Sequence, residues 1–385
     1  MNQEQGTLLQ FFFRSFLNDL ELLLGKELSG ASLAVESPRT ILDLAGSQLF
    51  FDIDILDESR KSLGYLRSGA GREDLPLIDS IVFSNGLPPF DVLVSRARTQ
   101  AAIDFPGKAA DNPRFVCYGY PLIGIMLDVA GDASTQWVLY NPYNKSIVRQ
   151  GATKQELTSI ERGFESIEES IEGEPLYSIA GRIPEAGPEE GPTQEQWRAL
   201  RGVFEQYDAE GGDVKVLMSR ARINVREQTV AADLIAQETP VYCVVATAAM
   251  ILEFFGQTAL SQTDIAGLLG TTAKGTPPAA LATQLGGISG SKLATKQIGS
   301  PTFGDFVREL QPGFPVKSGI PGHSRLVCGW REYELLDSEA NPLHTERFLV
   351  VADPQPVGIG ALVLESLCKP IPDYFRNAMS VSKVV

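Results

Sequence analysis

One stretch limits the possible folds of this chain more than any other: residues 237–256, QETPVYCVVATAAMILEFFG. A polar loop ends at Pro240, and the thiol of Cys243 sits where an almost wholly apolar run begins. At about thirteen residues that run is too long for an ordinary strand and far too short to cross a bilayer. Gly256 stands where a helix stop is expected. The stretch therefore predicts a buried central helix with a cysteine on its first turn. The partial positive charge and unpaired amides of a helix N-terminus favour a thiolate over a thiol. Gln237 precedes the cysteine by six residues. From there its side-chain amide can reach the same reacting atom and stabilise an oxyanion. A buried cysteine on a core helix is most often a packing residue, so a reactive role for Cys243 requires a base.

The chain holds two histidines. His344 falls in the polar run SEANPLHTER and reads as a solvated loop residue. His323 falls in GIPGHSRLVCGW, where a Gly-Pro-Gly turn feeds a β-prone segment, and a histidine at the first position of a strand is placed to face a helix N-terminus elsewhere. Downstream, RFLVVADPQP is an apolar strand ending at Asp353, whose carboxylate can fix an imidazole's tautomer and orientation. Along the histidine strand the two-residue repeat puts His323, Arg325 and Val327 on one face, with Ser324, Leu326 and Cys328 on the other. Cys328 therefore reads as core, Arg325 as a structural ion-pair former ahead of a substrate contact, and Trp330 equally as a shield for the histidine–carboxylate contact or as ordinary core.

Gln237, Cys243 with its buried helix, GHSRLVCGW and VVADP together resemble the papain-like cysteine peptidases. The likeness is to their compact bacterial branch, which includes the double-glycine leader peptidases that process bacteriocins. LSQTDIAGLLGTTAKGTP and FGDFVRELQPGFPVKSGI resemble the segments that lead from cysteine helix to histidine in that family. The resemblance covers roughly residues 222–370. It implies Cys243 as nucleophile, His323 as base, Asp353 as orienting carboxylate and Gln237 as oxyanion donor, with no cofactor and no metal. A polar insertion around 331–345 lengthens the His-to-Asp interval relative to the family, and no transporter module follows, so the substrate does not carry over.

The expected fold class is α+β: a papain-like catalytic domain, with the cysteine helix on an antiparallel sheet, preceded by a smaller α+β domain. The expected divisions are 1–180, a linker and connecting helix at 181–215, and a catalytic domain at 216–385. GRIPEAGPEEGP at 181–192 is the Pro/Gly/Glu linker, and Thr193 and Gln196 have capping-box spacing. In the first part, Leu8, Leu9, Phe12, Phe13, Phe16, Leu20, Leu23 and Leu24 repeat at helical spacing and predict an amphipathic helix docked on a sheet, with Gly25 as its stop. Residues 46–66 predict a hairpin, LIDSIVFSNGLPP an irregular connector, and PPFDVLVSRARTQAAIDF a helix. FVCYGYPLIGIMLDVAG with TQWVLYNPYNKSIV predicts a second hairpin, in which Cys117 is a strand residue. In outline this part resembles the cystatin-like or pro-region modules that accompany some peptidases. VLVSRAR at 92–98 echoes VLMSRAR at 216–222, which reads either as two similar basic surface turns or as related docking sites.

The formal charge of −15 argues against nucleic acid or an anionic membrane as partner. Residues 154–195 alone contribute eleven acidic and three basic side chains. Four scattered cysteines, Cys117, Cys243, Cys328 and Cys368, make neither a disulfide framework nor a zinc motif. The opening residues lack a basic lead, and Asp19 and Glu21 interrupt their apolar run, so they read as neither signal peptide nor membrane span, and a cytoplasmic location is the expectation. The functional expectation is a thiol peptidase acting on a peptide or protein, with the first domain regulating it or selecting its substrate. The rivals are a catalytically silent peptide-binding module and an acyl or amide transferase using the same triad.

Overall fold

A computed structural model describes residues 1, 3–25, 27–28, 30–44, 46–70, 76–84, 88–119, 122–130, 135–143, 147–151, 222–277, 279–320, 322–336, 342–367 and 375–384. The acidic segment, the 181–192 linker, the helix expected after Thr193, the second VLMSRAR (all but its final arginine) and Cys368 lie outside them.

Helix α1 (Gln3–Leu24) is followed by strands β1 (Ser32–Leu33), β2 (Arg39–Leu42), β3 (Gln48–Leu56), β4 (Ser62–Gly69) and β5 (Ser80–Phe83). Helix α2 (Phe90–Asp104) leads into the meander β6 (Ala110–Gly119), β7 (Leu122–Ala130), β8 (Thr135–Tyr140) and β9 (Ile147–Gly151). The remainder comprises β10 (Arg222–Thr229), α3 (Cys243–Phe254), α4 (Gln262–Leu269), α5 (Ala280–Ile288), β11 (Leu293–Gly299) and α6 (Phe303–Leu310). It closes with β12 (Val316–Ile320), β13 (His323–Leu336), β14 (Pro342–Asp353), β15 (Ala361–Ser366) and β16 (Asn377–Lys383).

All the described strands join one hydrogen-bonded sheet in the order β11-β16-β12-β13-β14-β15-β5-β4-β3-β2-β6-β7-β8-β9. β1 pairs with β3, and β10 pairs with β13. Only the β2–β6 pairing is parallel. The join between the chain's two halves is β15 against β5, with Val363 opposite Val82 and Glu365 opposite Ser80. The stretch around β5 was expected to be an irregular connector. It is a strand buried at all four positions, and a strand covered on both faces loses the alternation by which strands are recognised. Beside it, Gly64 has φ +154, and a Cβ there would lie 1.8 Å from the Val82 carbonyl oxygen, so no other residue lets β4 approach β5 this closely.

The expected first hairpin is β3–β4. The stretches expected to form a second hairpin are each two strands, so together they form the four-strand meander. Residues 331–336 and 342–345, expected as a polar insertion, extend the β13–β14 hairpin instead. Their charges are spent in the sheet: Glu332 bonds Arg347 at 2.7 Å and also contacts Arg226.

α1 covers this outer part of the hairpin. Leu9, Phe12, Phe13, Phe16 and Leu20 are buried in a core that also holds Tyr333, Leu335 and Phe348. The Phe16 and Tyr333 rings stack with centroids 3.9 Å apart. Asp19 accepts from Arg331 Nε at 2.8 Å and from the Tyr333 hydroxyl at 2.6 Å. Five apolar side chains at about 1.5–3 kcal/mol each amount to roughly 10 kcal/mol of burial, comparable to the whole stability of an ordinary domain, about 5–15 kcal/mol. None of the helices formed by described residues is long and apolar enough to cross a membrane.

Phe16→Ala should destabilise the full chain by about 3–5 kcal/mol, read as a lowered urea midpoint. A chain beginning after residue 25 should lose cooperative unfolding in its C-terminal half. Retention of a sharp transition by that truncated chain would show that α1 only decorates the sheet.

Candidate active site

The cysteine helix forms as its sequence predicts. Val245, Ala248, Met250, Ile251 and Leu252 of α3 are buried against Leu326, Cys328, Val350 and Ala352 of the sheet. At its C-terminus Gly256 adopts φ +75, its amide bonds the Glu253 carbonyl, and the Gln257 amide bonds the Leu252 carbonyl. This left-handed exit satisfies the last carbonyls and ends the helix where the glycine stands. At the other end no side chain caps the helix: Tyr242 occupies the N-cap without a side-chain bond. The first-turn amides and the positive end of the helix dipole are therefore open to Cys243.

His323 opens β13, directly across the β12–β13 turn from Ile320, and Asp353 ends β14. The register that pairs Leu326 with Ala352 brings those two ends together. His323 Nε2 lies 2.7 Å from Asp353 Oδ1, and the Gln355 amide donates to the same oxygen at 2.8 Å, fixing the carboxylate against rotation. With Nε2 committed, Nδ1 is the nitrogen left for the thiol. Nδ1 is buried, and the Cys243 sulfur acts on the ring through a hydrogen bond and through charge.

A second link sets helix against strand. Thr247 Oγ1 donates to the Cys243 carbonyl at 2.8 Å, and Ser324 Oγ donates to Thr247 Oγ1 at 3.2 Å. The first turn of α3 is thereby tied to the residue next to His323. Gln237 is fully buried. Its amide donates to the Pro354 carbonyl and its carbonyl accepts from Gly358, both at 2.9 Å, so it is anchored to the loop that follows Asp353. Its Nε2 gives one hydrogen to the Thr239 carbonyl at 2.8 Å, leaving the second for another acceptor.

Burial alone pushes the Cys243 thiol up. The His323 hydrogen bond and charge, with the Ser324 and Val244 amides, outweigh burial and hold it below the ordinary thiol range. Burial likewise pushes His323 down, but the Asp353 charge and hydrogen bond, helped by Cys243, raise it to about 10. Both shifts favour one state, a thiolate beside an imidazolium. Cys328, by contrast, is pushed up to about 12 by burial.

Several sequence readings need correcting. His344 is not a solvated loop residue: it lies in β14, 2 % exposed, bonded to Glu346 Oε1 at 2.8 Å and packed against Phe12. Its polar neighbours in sequence concealed the helix that covers it. Trp330 does not shield the His323–Asp353 contact. It lies seven residues further along β13, about 23 Å at strand rise, with its ring against Phe303. Arg325 is an ion-pair former as expected, held by Glu365 at 2.6 and 3.0 Å. Cys117 lies in β6 and is buried.

Ser324, Thr247 and Lys317 are site neighbours that the sequence did not single out. Thr247, four residues after Cys243, had a legible helical spacing. Lys317 of β12 did not, because its place beside the site comes from sheet pairing. Burial lowers it to about 8 against a small opposing effect of Cys243, and its Nζ bonds Asn377. Among the described residues no cluster of three or more His, Cys, Asp or Glu side chains is arranged to hold a metal ion.

At pH 6 iodoacetamide should label Cys243 at least tenfold faster than Cys117 or Cys328, read by mass spectrometry of digested protein. The rate should hold to a lower pH than an ordinary thiol allows, and in His323→Ala, where burial is no longer opposed by the imidazolium, the profile should rise only at pH 8–9 or above. Equal rates at all three cysteines would refute the ion pair.

No protein-family model matches the chain, and no curated protein does either. Among solved structures it is similar to UfSP from C. elegans, with a TM-score of 0.31 and 10 % identity over 65 % of this chain and 50 % of that one. The chain thus spans about half the length of that neighbour, and at so slight a likeness the reading of the site rests on its own geometry.

Proposed function

We propose that the chain is a thiol-dependent peptidase of papain-like fold. In this reading Cys243 is the nucleophile, His323 the acid and base, Asp353 the orienting carboxylate and Gln237 an oxyanion donor. The observation that carries the reading is His323 itself, buried at the mouth of an uncapped helix, with Nε2 on Asp353 and Nδ1 left for the Cys243 thiol.

The Cys243 thiolate attacks the carbonyl carbon of a peptide bond, forming a C–S bond as the carbonyl π electrons move to oxygen. The Cys243 backbone amide and the second Nε2 hydrogen of Gln237 receive the oxyanion. The His323 imidazolium gives its Nδ1 proton to the departing amine as the C–N bond breaks, leaving a thioester. Neutral His323 then takes a proton from water, whose oxygen attacks the thioester. The acid is released, and thiolate and imidazolium are restored. Asp353 stabilises the charged ring in the resting enzyme and again after water attack. The first half of the chain acts in this reading as a regulating or substrate-selecting part, with residues 216–385 carrying the chemistry. The order Gln237, Cys243, His323, Asp353, with the cysteine helix on a mostly antiparallel sheet, supports the papain-like assignment.

The test is digestion of a proteome-derived peptide library by the full chain, with new termini read by mass spectrometry. Cys243→Ala should abolish new termini while leaving the unfolding midpoint within about 1 kcal/mol of the parent. Gln237→Ala should lower turnover by about 10²–10³-fold while leaving Cys243 open to alkylation. Cleavage that persists in Cys243→Ala would overturn the assignment.

A further inference from the structure

A cavity of about 160 Å³, similar to one that holds a benzene-sized group, lies where the two halves of the chain meet the proposed catalytic pair. One end is formed by His323 and Asp353, and Cys243 is not among its described lining residues. In the reaction proposed above, the imidazolium protonates the departing amine, so a cavity on the histidine side adjoins the leaving half of the peptide. His323 and Asp353 both belong to this end of the cavity.

The opposite wall comes from the first half of the chain. Tyr65, Phe90, Phe115, Tyr118 and Tyr143 supply rings. Over the whole lining, the carboxylates Asp52, Asp79, Glu365 and Asp353 outnumber the guanidiniums Arg67 and Arg325, so the cavity keeps a net negative charge even with His323 protonated. Arg67 is held by Asp52 at 2.7 and 2.9 Å, and Arg325 is held by Glu365. Both guanidiniums are therefore fixed in the wall and do not reach for an anionic ligand. The rings already accept cations: Arg39 Cζ lies 3.3 Å from the Phe90 centroid, and Arg67 Cζ lies 5.5 Å from that of Tyr65. Aromatic faces combined with excess carboxylate favour a cation and exclude an acid. The charge of −15 on the whole chain steers ligands in the same sense.

We propose that this cavity receives a basic side chain, lysine or arginine, from the residue that follows the bond to be cut. The site rests on the peptidase reading above. It makes the first half of the chain part of the substrate site and ties specificity to Asp79 and the rings around it.

The experiment compares cleavage of paired internally quenched peptides taken from sequences the full chain cuts. The members of each pair differ only in Lys, Ala or Glu after the scissile bond. The ratio of rates within one sample is independent of how much enzyme is active. Lysine is expected to exceed alanine by about tenfold and glutamate by more. Asp79→Asn should reduce the lysine-to-alanine ratio severalfold. Ile123→Trp, which fills the cavity from the wall, should bring it close to one and serves if the buried Asp79→Asn chain does not fold. Cleavage dependent on Cys243 with no preference for lysine, or a preference unchanged in Ile123→Trp, would overturn the cavity assignment and leave the peptidase reading standing. Absence of any cleavage dependent on Cys243 would overturn both.

Discussion

The pairing of β13 with β14 is the constraint on which the rest of the molecule depends. At one end of this hairpin the register sets His323 beside Asp353. At the other end Tyr333 and Phe348 form the floor on which α1 lies. Between them Leu326, Cys328, Val350 and Ala352 make the surface that buries the cysteine helix. A slip of one residue would turn each of these sets to the wrong face. It would separate the imidazole from its carboxylate, expose the floor of α1 and push apolar residues off α3 together. The site and the core are therefore specified by the same hydrogen bonds.

Electrostatics at the site follow from that placement. A buried imidazolium is costly by itself, and burial alone acts to lower His323. The ring stays protonated because one carboxylate at 2.7 Å and the nearby sulfur both favour the charged form. The thiol gains from the same charge and from amides at an uncapped helix end. Asp353 does most to raise His323, and Cys243 adds to it. The first half of the chain contributes as well: α1 completes the core beneath the hairpin, and β5 continues the sheet from β15, so its rings and carboxylates reach the cavity beside His323.

What the sequence revealed followed periodicity and local chemistry. The apolar run after Cys243, the stop at Gly256, the phenylalanine stripe of α1 and the two-residue repeat around His323 are all local signals, and each appears in the structure as an element at that place. What it concealed was set by partners distant in the chain. β5 is short and buried on both faces, so it showed no alternation. His344 looked solvated because its neighbours in sequence are polar, while the helix that buries it lies some 330 residues earlier. Trp330 was given a role at the site because it lies close in sequence, although seven residues of extended strand carry it far away. Lys317 and the wall of the cavity were invisible because sheet order, not spacing, brings them to the site.

The central claim is that His323 is an imidazolium held between Asp353 and Cys243. With only two histidines in the chain, ¹⁵N-NMR of the full protein over a pH series, assigned by a His323→Ala control, reads its charge directly. The account predicts imidazolium shifts for His323 through pH 8 and titration near pH 10. Titration near the ordinary pH 6.5, with no response to Cys243→Ala, would contradict it.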